Sequence, residues 1–476
     1  MKKPLHLLLL VPVVLSMMAC GILSSGLREL KSTTVLTPTE DAPSKVDLLK
    51  ETKIPEPSAS PFPTNTPLPT PSPTVQPPTI TYAPPTSALS PTNLPLPLQQ
   101  RIFNHLWQIV KDEYLYADFN GLDWDAIRVE YQAVIDSGLT NEAFYFTMDE
   151  MLMRLGDEHS AYYSPEMVAQ EDAAYAGDQD FVGIGILSSP VPVKNLAVIL
   201  IVFPGSPADR AGLQPHDSLL EVNGEPILDE YGFLNDAIQG LEGTILTLKV
   251  QKPGEDSRIV TLVRERISGT VPVPYEVLTT SEGKKIGYVL LVSFNDMTVD
   301  DSVKDALDAM NAGGPLDGLI IDNRNNNGGT DTVLRGTLSY FTSGEVGYFI
   351  NRSEERPLRV MGEDIHGSQS LPLVVLVGVD TASYGEVFAG ILQDLDRAYL
   401  IGENTYGNVE TLWGYDFEDG SRAWIAHDSF RPLNNQDADW ETNGIIPDLS
   451  VTSNWEDFTI SNDPAVLAAL DTFDND

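Results

Sequence analysis

The sequence predicts a mixed α/β fold in three ordered parts: an N-terminal helical segment, a β-rich module and an alternating α/β core. Three observations carry this reading. Leu98, Ile102, Phe103, Leu106 and Ile109 recur at helical spacing. Residues 180–268 change to short β runs broken by Gly and Pro. From Gly287 onward, apolar runs such as Leu319 to Ile321 and Leu373 to Val377 alternate with helical patterns, as buried strands and their crossovers do.

Before the first of these parts lies a segment that cannot build a core. Lys2 and Lys3 form a charged n-region, and Leu7 to Met18 a short apolar h-region ending in Ala19-Cys20, the pattern of an export signal too short to span a bilayer. Cys20 is the single cysteine of the chain, so no intrachain disulfide is possible. Its place marks residues 1–20 as a lipoprotein signal cut before a lipidated Cys20; simple cleavage near Ala19 or a buried free thiol is the alternative. Residues 21–97 read as a Pro/Ser/Thr-rich stalk, densest from Pro55 to Pro97. Extended at about 3.1 Å per residue, some 43 residues span on the order of 130 Å. The expectation is an extracytoplasmic protein, held on the cell membrane by a lipid or secreted.

The ordered remainder is long enough for two or three domains, with 42% hydrophobic and 21% charged residues in the chain of 476. Against 69 Asp and Glu stand only 29 Lys and Arg, a net charge of -40. Nucleic-acid binding is excluded, because phosphate contacts require a basic face. Residues 98–175 form the helical part: after the first helix come Trp124 to Ile135 and a helix from Asn141, read as an N-cap, to Leu155.

Residues 176–268 hold Val182-Gly183-Ile184-Gly185-Ile186, a strand from Ala197 to Phe203, Pro204-Gly205-Ser206-Pro207-Ala208, Val222-Asn223-Gly224, and strands at 245–250 and 259–264. This order resembles a PDZ domain of the bacterial protease type. The resemblance implies that Val182, Gly183, Ile184, Gly185 and Ile186 border a peptide site, where backbone N–H groups hold a C-terminal carboxylate and the peptide adds as a strand. A packing role is the plainer reading of the apolar residues.

In the third part, residues 269–455, the buried strand Leu373 to Val377 turns through Thr381-Ala382-Ser383-Tyr384-Gly385-Glu386 into a helix. A serine at such a turn faces outward beside the N–H groups of a helix N-terminus, as an acyl-transfer nucleophile must. It is equally the place of an N-cap serine. The rest of this part shifts the balance. Ile321-Asp322-Asn323-Arg324-Asn325-Asn326-Asn327-Gly328-Gly329, the Ser383 turn, Gly402-Glu403-Asn404-Thr405-Tyr406-Gly407 and Gly444-Ile445-Ile446-Pro447-Asp448 follow in the order of the C-terminal processing, or tail-specific, serine proteases, which this chain resembles from about Leu98 to Val451. The resemblance implies an α/β core of crotonase-like type, Ser383 as nucleophile, and N–H groups of Gly328, Gly329 and Tyr384 as the oxyanion hole.

One departure is sharp. Where these proteases carry a general-base Lys and, four residues later, a Gln, this chain has Asn408 and Leu412, and no lysine follows Lys304. His159 resembles the histidine that the tricorn-type branch contributes from its helical segment, and Glu441 that branch's acidic residue. They are the expected base and orienting carboxylate. His427 is the rival base, and His366 lies in an apparent insertion. No cofactor or metal is implied, since the histidines lack ligand spacing.

The expected function is a serine endopeptidase acting on polypeptides with free or disordered C-termini, attached to the membrane through its lipid, with residues 456–476 as a C-terminal tail. The Asn408 and Leu412 replacements leave two alternatives: a catalytically inactive, PDZ-containing peptide-binding lipoprotein, or a surface interaction protein.

Overall fold

A computed structural model describes residues 93–157, 159–176, 181–267 and 270–475. The signal segment, Cys20 and nearly all of the stalk lie outside the described residues. The architecture is the predicted mixed α/β fold.

The helical part runs Leu96–Glu113, Trp124–Ile135, Asn141–Met153 and Pro165–Tyr175. The first three bury Phe103, Leu106, Trp124, Phe144, Met148 and Met151 against one another. Asp123 caps the second by accepting from Ala126 N. The third is capped by Thr140, whose extended backbone lets its hydroxyl accept from Ala143 N. Asn141, expected as that cap, instead accepts from Leu94 N at 2.7 Å and ties the chain start to the third helix.

The β module is a sheet ordered Ile186–Val191, Leu196–Val202, Ser218–Val222, Ile245–Gln251 and Arg258–Val263, with Phe181–Gly183 pairing separately with Glu265–Ile267. The run 181–186 is therefore two strands in two sheets. Gly185 breaks it: its φ is +76°, and a Cβ there would sit 2.2 Å from Ser206 Cβ, so only glycine permits the turn. Ile186–Val191 pairs with one neighbour and leaves its other edge unpaired among the described residues.

The core sheet runs Tyr275–Thr279, Lys285–Leu290, Gly318–Asp322, Leu373–Val377, Tyr399–Gly402, Leu449–Ser450, parallel after its first antiparallel pair. Both faces of the central strands are covered, which is why Leu319 to Ile321 and Leu373 to Val377 are apolar at every position. Leu319, Ile321, Val375 and Val377 face the helices Val299–Asn311, Asp331–Ser339 and Tyr384–Asp394. Ile320, Val374 and Leu376 face Val198, Leu200 and Ile201 of the β module together with a last helix, Pro464–Asn475. The expected C-terminal tail thus contains a docked helix, because Ala465, Val466, Ala469 and Phe473 bury one stripe on the sheet.

A further sheet positions the site. The 11-residue strand Arg422–Pro432 pairs with Ala161–Tyr163 from the helical part, with Thr411–Asp416 and with Gly344–Ile350. It stitches the N-terminal part to the core.

Candidate active site

Ser383 ends the turn that follows the central strand Leu373–Val377, immediately before the helix Tyr384–Asp394. Its backbone is in the positive-φ region, at φ +52° and ψ −130°, where a non-glycine residue carries a strain of order 1–3 kcal/mol. Its hydroxyl makes no capping bond to the helix, so the N-cap role that the local sequence allows is not the one adopted. The side chain is half-buried.

The loop after Gly318–Asp322 lies directly against it. Arg324 clamps the loop's root through a buried pair with Asp322 at 2.6 Å and another with Asp463 at 2.7 Å. Asn326 O accepts from Ala382 N at 3.0 Å. Gly328 has φ +89°, and a Cβ on it would fall 2.6 Å from Ser383 Cβ, 2.9 Å from Ser383 Oγ and 2.8 Å from Tyr384 N. Glycine is what leaves room for a substrate oxygen beside the hydroxyl and the Tyr384 N–H. The Gly328 N–H itself donates to Asn326 Oδ1 at 3.0 Å. Among the described residues the N–H groups of Gly329 and Tyr384 have no protein acceptor.

The second half of the site comes from three remote segments. His159 stands just ahead of Ala161–Tyr163, fixed by Asp157, whose Oδ1 accepts from His159 N and Ser160 N at 3.0 and 2.9 Å. Ser160 Oγ donates to Asp157 Oδ2 and accepts from Ala426 N, which ties the turn to the strand Arg422–Pro432. Glu441 sits in the single helical turn Trp440–Asn443, capped by Asp439 and anchored by Trp440 stacked on Phe430 at 5.6 Å. His159 Nε2 meets Glu441 Oε1 at 3.2 Å although 282 residues separate them.

Sequence reasoning missed Glu410. Its Oε2 lies 3.7 Å from His159 Nε2, buried and without a hydrogen-bond partner among the described residues, while Tyr116 OH donates to its Oε1. Burial, then the neighbouring Glu441 charge, push the Glu410 carboxyl up to about 7. His159 is raised above its usual 6.5: burial alone would lower it, but the hydrogen bond to Glu441 and the charges of Glu410, Glu441 and Asp157 outweigh that.

Four consecutive backbone N–H groups join the two halves. Gly407 N and Asn408 N donate to Glu386 Oε1 and Oε2, both at 2.8 Å, and Glu386 is one turn along the Ser383 helix. Val409 N and Glu410 N donate to Glu441 Oε2 at 2.7 and 3.1 Å. Glu386 is buried and pushed up to about 7, chiefly by desolvation. The loop that lacks the family's lysine is thus strung between two carboxylates. Among the described residues no hydrogen bond joins Ser383 Oγ to His159.

The rival histidines lie elsewhere. His427 stacks on Trp413 at 4.0 Å with Nε2 3.4 Å from Glu113, and exposed His366 bonds Asp308 at 2.8 Å. In the β module, Ile184 is buried in the module's own core, whereas Val182 and Ile186 are half-exposed. The carbonyl oxygens of Ile184 and Gly185 accept from Ala208 N and Phe203 N, both at 2.9 Å.

Comparison with known proteins agrees with this architecture. The model of Peptidase family S41 matches residues 285–451, that of the Tricorn protease C1 domain 99–153, and that of the PDZ domain 198–252. The chain is similar to the carboxyl-terminal-processing protease of Synechocystis sp., 31% identical over 401 residues covering 81% of this chain and 88% of the relative. The chloroplastic carboxyl-terminal-processing peptidase 3 of Arabidopsis thaliana is 28% identical, over 74% and 69% of the two chains. Among solved structures, the photosystem II D1 C-terminal processing protease superposes with a TM-score of 0.53 at 25% identity, covering 74% of this chain and 93% of that one.

Proposed function

We propose a tail-directed endopeptidase working outside the cell membrane, starting from the fact that the chain belongs to the carboxyl-terminal-processing protease family and is a serine peptidase. Ser383 Oγ attacks the scissile carbonyl. His159 takes its proton and returns it to the leaving amine, and Glu441 orients the ring and stabilises the imidazolium. N–H groups of Gly329 and Tyr384 receive the oxyanion, with Gly328 holding the space. The His159–Ser383 bond closes when substrate aligns the pair, since catalytic hydrogen bonds tighten in the reacting complex.

The observation that carries this reading is the 3.2 Å meeting of His159 and Glu441 beside the loop where Asn408 has replaced the family's lysine. A base is needed, and the N–H groups of Val409 and Glu410 that hold this imidazole's carboxylate follow directly on those of Gly407 and Asn408 that bind Glu386 of the Ser383 helix. A fluorophosphonate probe should label wild-type protein at Ser383, and neither Ser383→Ala nor His159→Ala. Full labelling of His159→Ala would refute the base.

The substrate's C-terminus is held by the loop Val182 to Ile186, with the peptide added to the open edge of Ile186–Val191. Equal cleavage of a peptide and its C-terminal amide would exclude carboxylate capture. Attachment rests on Lys2, Lys3, the apolar run from Leu7 to Met18 and Cys20. The mature protein should enter the detergent phase with a modified Cys20 at its N-terminus, and mass spectrometry finding an unmodified start beyond Cys20 would end that reading.

A further inference from the structure

The base cluster has the shape of a cation site as well as of a catalytic pair. Three donor atoms converge on one point: His159 Nε2, Glu410 Oε2 and Glu441 Oε1. In a tetrahedral zinc site with ligand distances near 2.1 Å, neighbouring ligand atoms stand about 3.4 Å apart. Here the imidazole nitrogen is 3.2 Å from one carboxylate and 3.7 Å from the other, and all three atoms lie within 4.8 Å of one another.

A hydrogen-bonded pair explains only part of this. A single imidazole N–H serves Glu441, and Glu410 Oε2 is left buried, aimed into the cluster and without a hydrogen bond. A buried carboxylate oxygen with no donor is costly. The carboxylates are also arranged as metal ligands usually are, each giving one oxygen to the cluster while the other is held from outside. Glu410 Oε1 accepts from Tyr116 OH, and Glu441 Oε2 accepts from Val409 N and Glu410 N. Two carboxylates and a neutral imidazole leave two negative charges, in a chain whose net charge of -40 concentrates cations around it.

We propose that His159, Glu410 and Glu441 bind a zinc ion that switches the peptidase off. One nitrogen and two carboxylates suit zinc, whereas calcium and magnesium favour all-oxygen shells. Inhibition follows from the imidazole's two nitrogens and rests on the reading of His159 as base. With Nε2 bound to zinc, the neutral ring carries its proton on Nδ1. Neither nitrogen then has a lone pair for the Ser383 proton. Removing the ion returns the ring proton from Nδ1 to Nε2, where Glu441 accepts it, and leaves the Nδ1 lone pair as the base, with no redox change and no covalent step.

The test separates binding from catalysis by titrating zinc chloride into the metal-free, full-length Ser383→Ala protein. One zinc per chain is expected. Adding Glu410→Gln, which keeps an acceptor for Tyr116, should weaken binding by more than the roughly 10- to 100-fold that loss of an outer-shell partner costs. Glu441→Gln in the same background should do likewise, with melting temperature confirming that each variant is folded. Zinc should block fluorophosphonate labelling of wild-type protein, EDTA should restore it, and calcium should leave it unchanged. No zinc binding by Ser383→Ala, or binding unaltered by both glutamine variants, overturns the site whatever the enzyme does. Undiminished labelling with zinc bound overturns the switch. Absent labelling in EDTA would instead refute His159 as base, while the titration still reads the site.

Discussion

Ser383 stands in the turn after a central strand of a sheet buried on both faces, whereas the base half joins His159 to Glu441, 282 residues further along the chain, and to Glu410, 31 residues from Glu441, all in loops or a single helical turn. The nucleophile half is fixed by sterics. Gly328 and Gly385 each let backbone approach closer than any Cβ would allow, and Ser383 is held in a strained turn. The base half is fixed by charge, with three carboxylates, Glu386, Glu410 and Glu441, distributed around one imidazole and one loop. Packing gives position at the cost of tolerance to substitution, whereas an assembly of charges is tuned by protons and cations.

The largest effect that would break this division is the loss of either partner across it. Removing Ser383 or His159 should lower turnover by on the order of 10³ to 10⁶, and the double variant should be little worse than either single one, because the two act as a unit. Additive losses in steady-state assays of the three proteins would show that the halves work independently. Next in size, Gly328→Ala should cost about 10² to 10³ in turnover, the range for losing one oxyanion-hole donor, because the added carbon falls 2.6 Å from Ser383 Cβ and 2.8 Å from Tyr384 N at a φ of +89°. Wild-type kcat in Gly328→Ala would mean that the oxyanion is held elsewhere.

The same division explains what could be read in the sequence. Leu373–Val377 was legible to the residue, since a continuous apolar run bounded by Gly378 leaves few alternatives, and the helix after it was legible as a helix, though it begins at Tyr384, within the stretch read as the turn. Ser383 was legible as a turn serine, though only the fold shows that its hydroxyl does not cap the helix. His159 and Glu441 were reached through family resemblance, for no spacing rule links residues 282 apart. Glu410 had no signal of its own among 69 acidic residues. Ile184 was placed beside Val182 and Ile186 at the peptide site by resemblance alone, but Gly185 turns the chain at positive φ and Ile184 lies in the module's core. The helix Pro464–Asn475 was missed behind a polar, Asp-rich surface, although Ala465, Ala469 and Phe473 keep helical spacing.

A smaller effect sharpens the comparison through stability. Glu386 joins the halves, and its carboxyl is raised from 4.5 to about 7 by burial. The unfolded chain releases this proton at lower pH than the folded one, so the group's contribution to stability is greatest below about 4.5, declines as pH rises to 7 and is constant above. At about 1.4 kcal/mol per pH unit the swing is on the order of 3 kcal/mol. Denaturant titrations between pH 4.5 and 7.5 should show Glu386→Gln flattening that slope, and an unchanged slope would place the titrating group elsewhere.

The smallest effect is a displacement of the pH profile, and it isolates what Glu441 does. General-base catalysis needs neutral His159, so in metal-free enzyme kcat/KM should fall as pH drops through the histidine's pKa, which lies above 6.5. Burial pulls that value down, and the Glu441 hydrogen bond and charge push it up. Glu441→Gln removes the push while keeping an oxygen for Val409 N and Glu410 N, so the acidic limb should move to lower pH as the plateau falls, because the imidazolium formed during acyl transfer has lost a stabilising charge. A purely structural role for Glu441 would lower the plateau and leave the limb in place. Measured in EDTA against wild type, a limb that stays put or moves to higher pH would therefore remove Glu441 from the proton circuit, and Glu410, 3.7 Å from the same nitrogen, would be the carboxylate that takes its part.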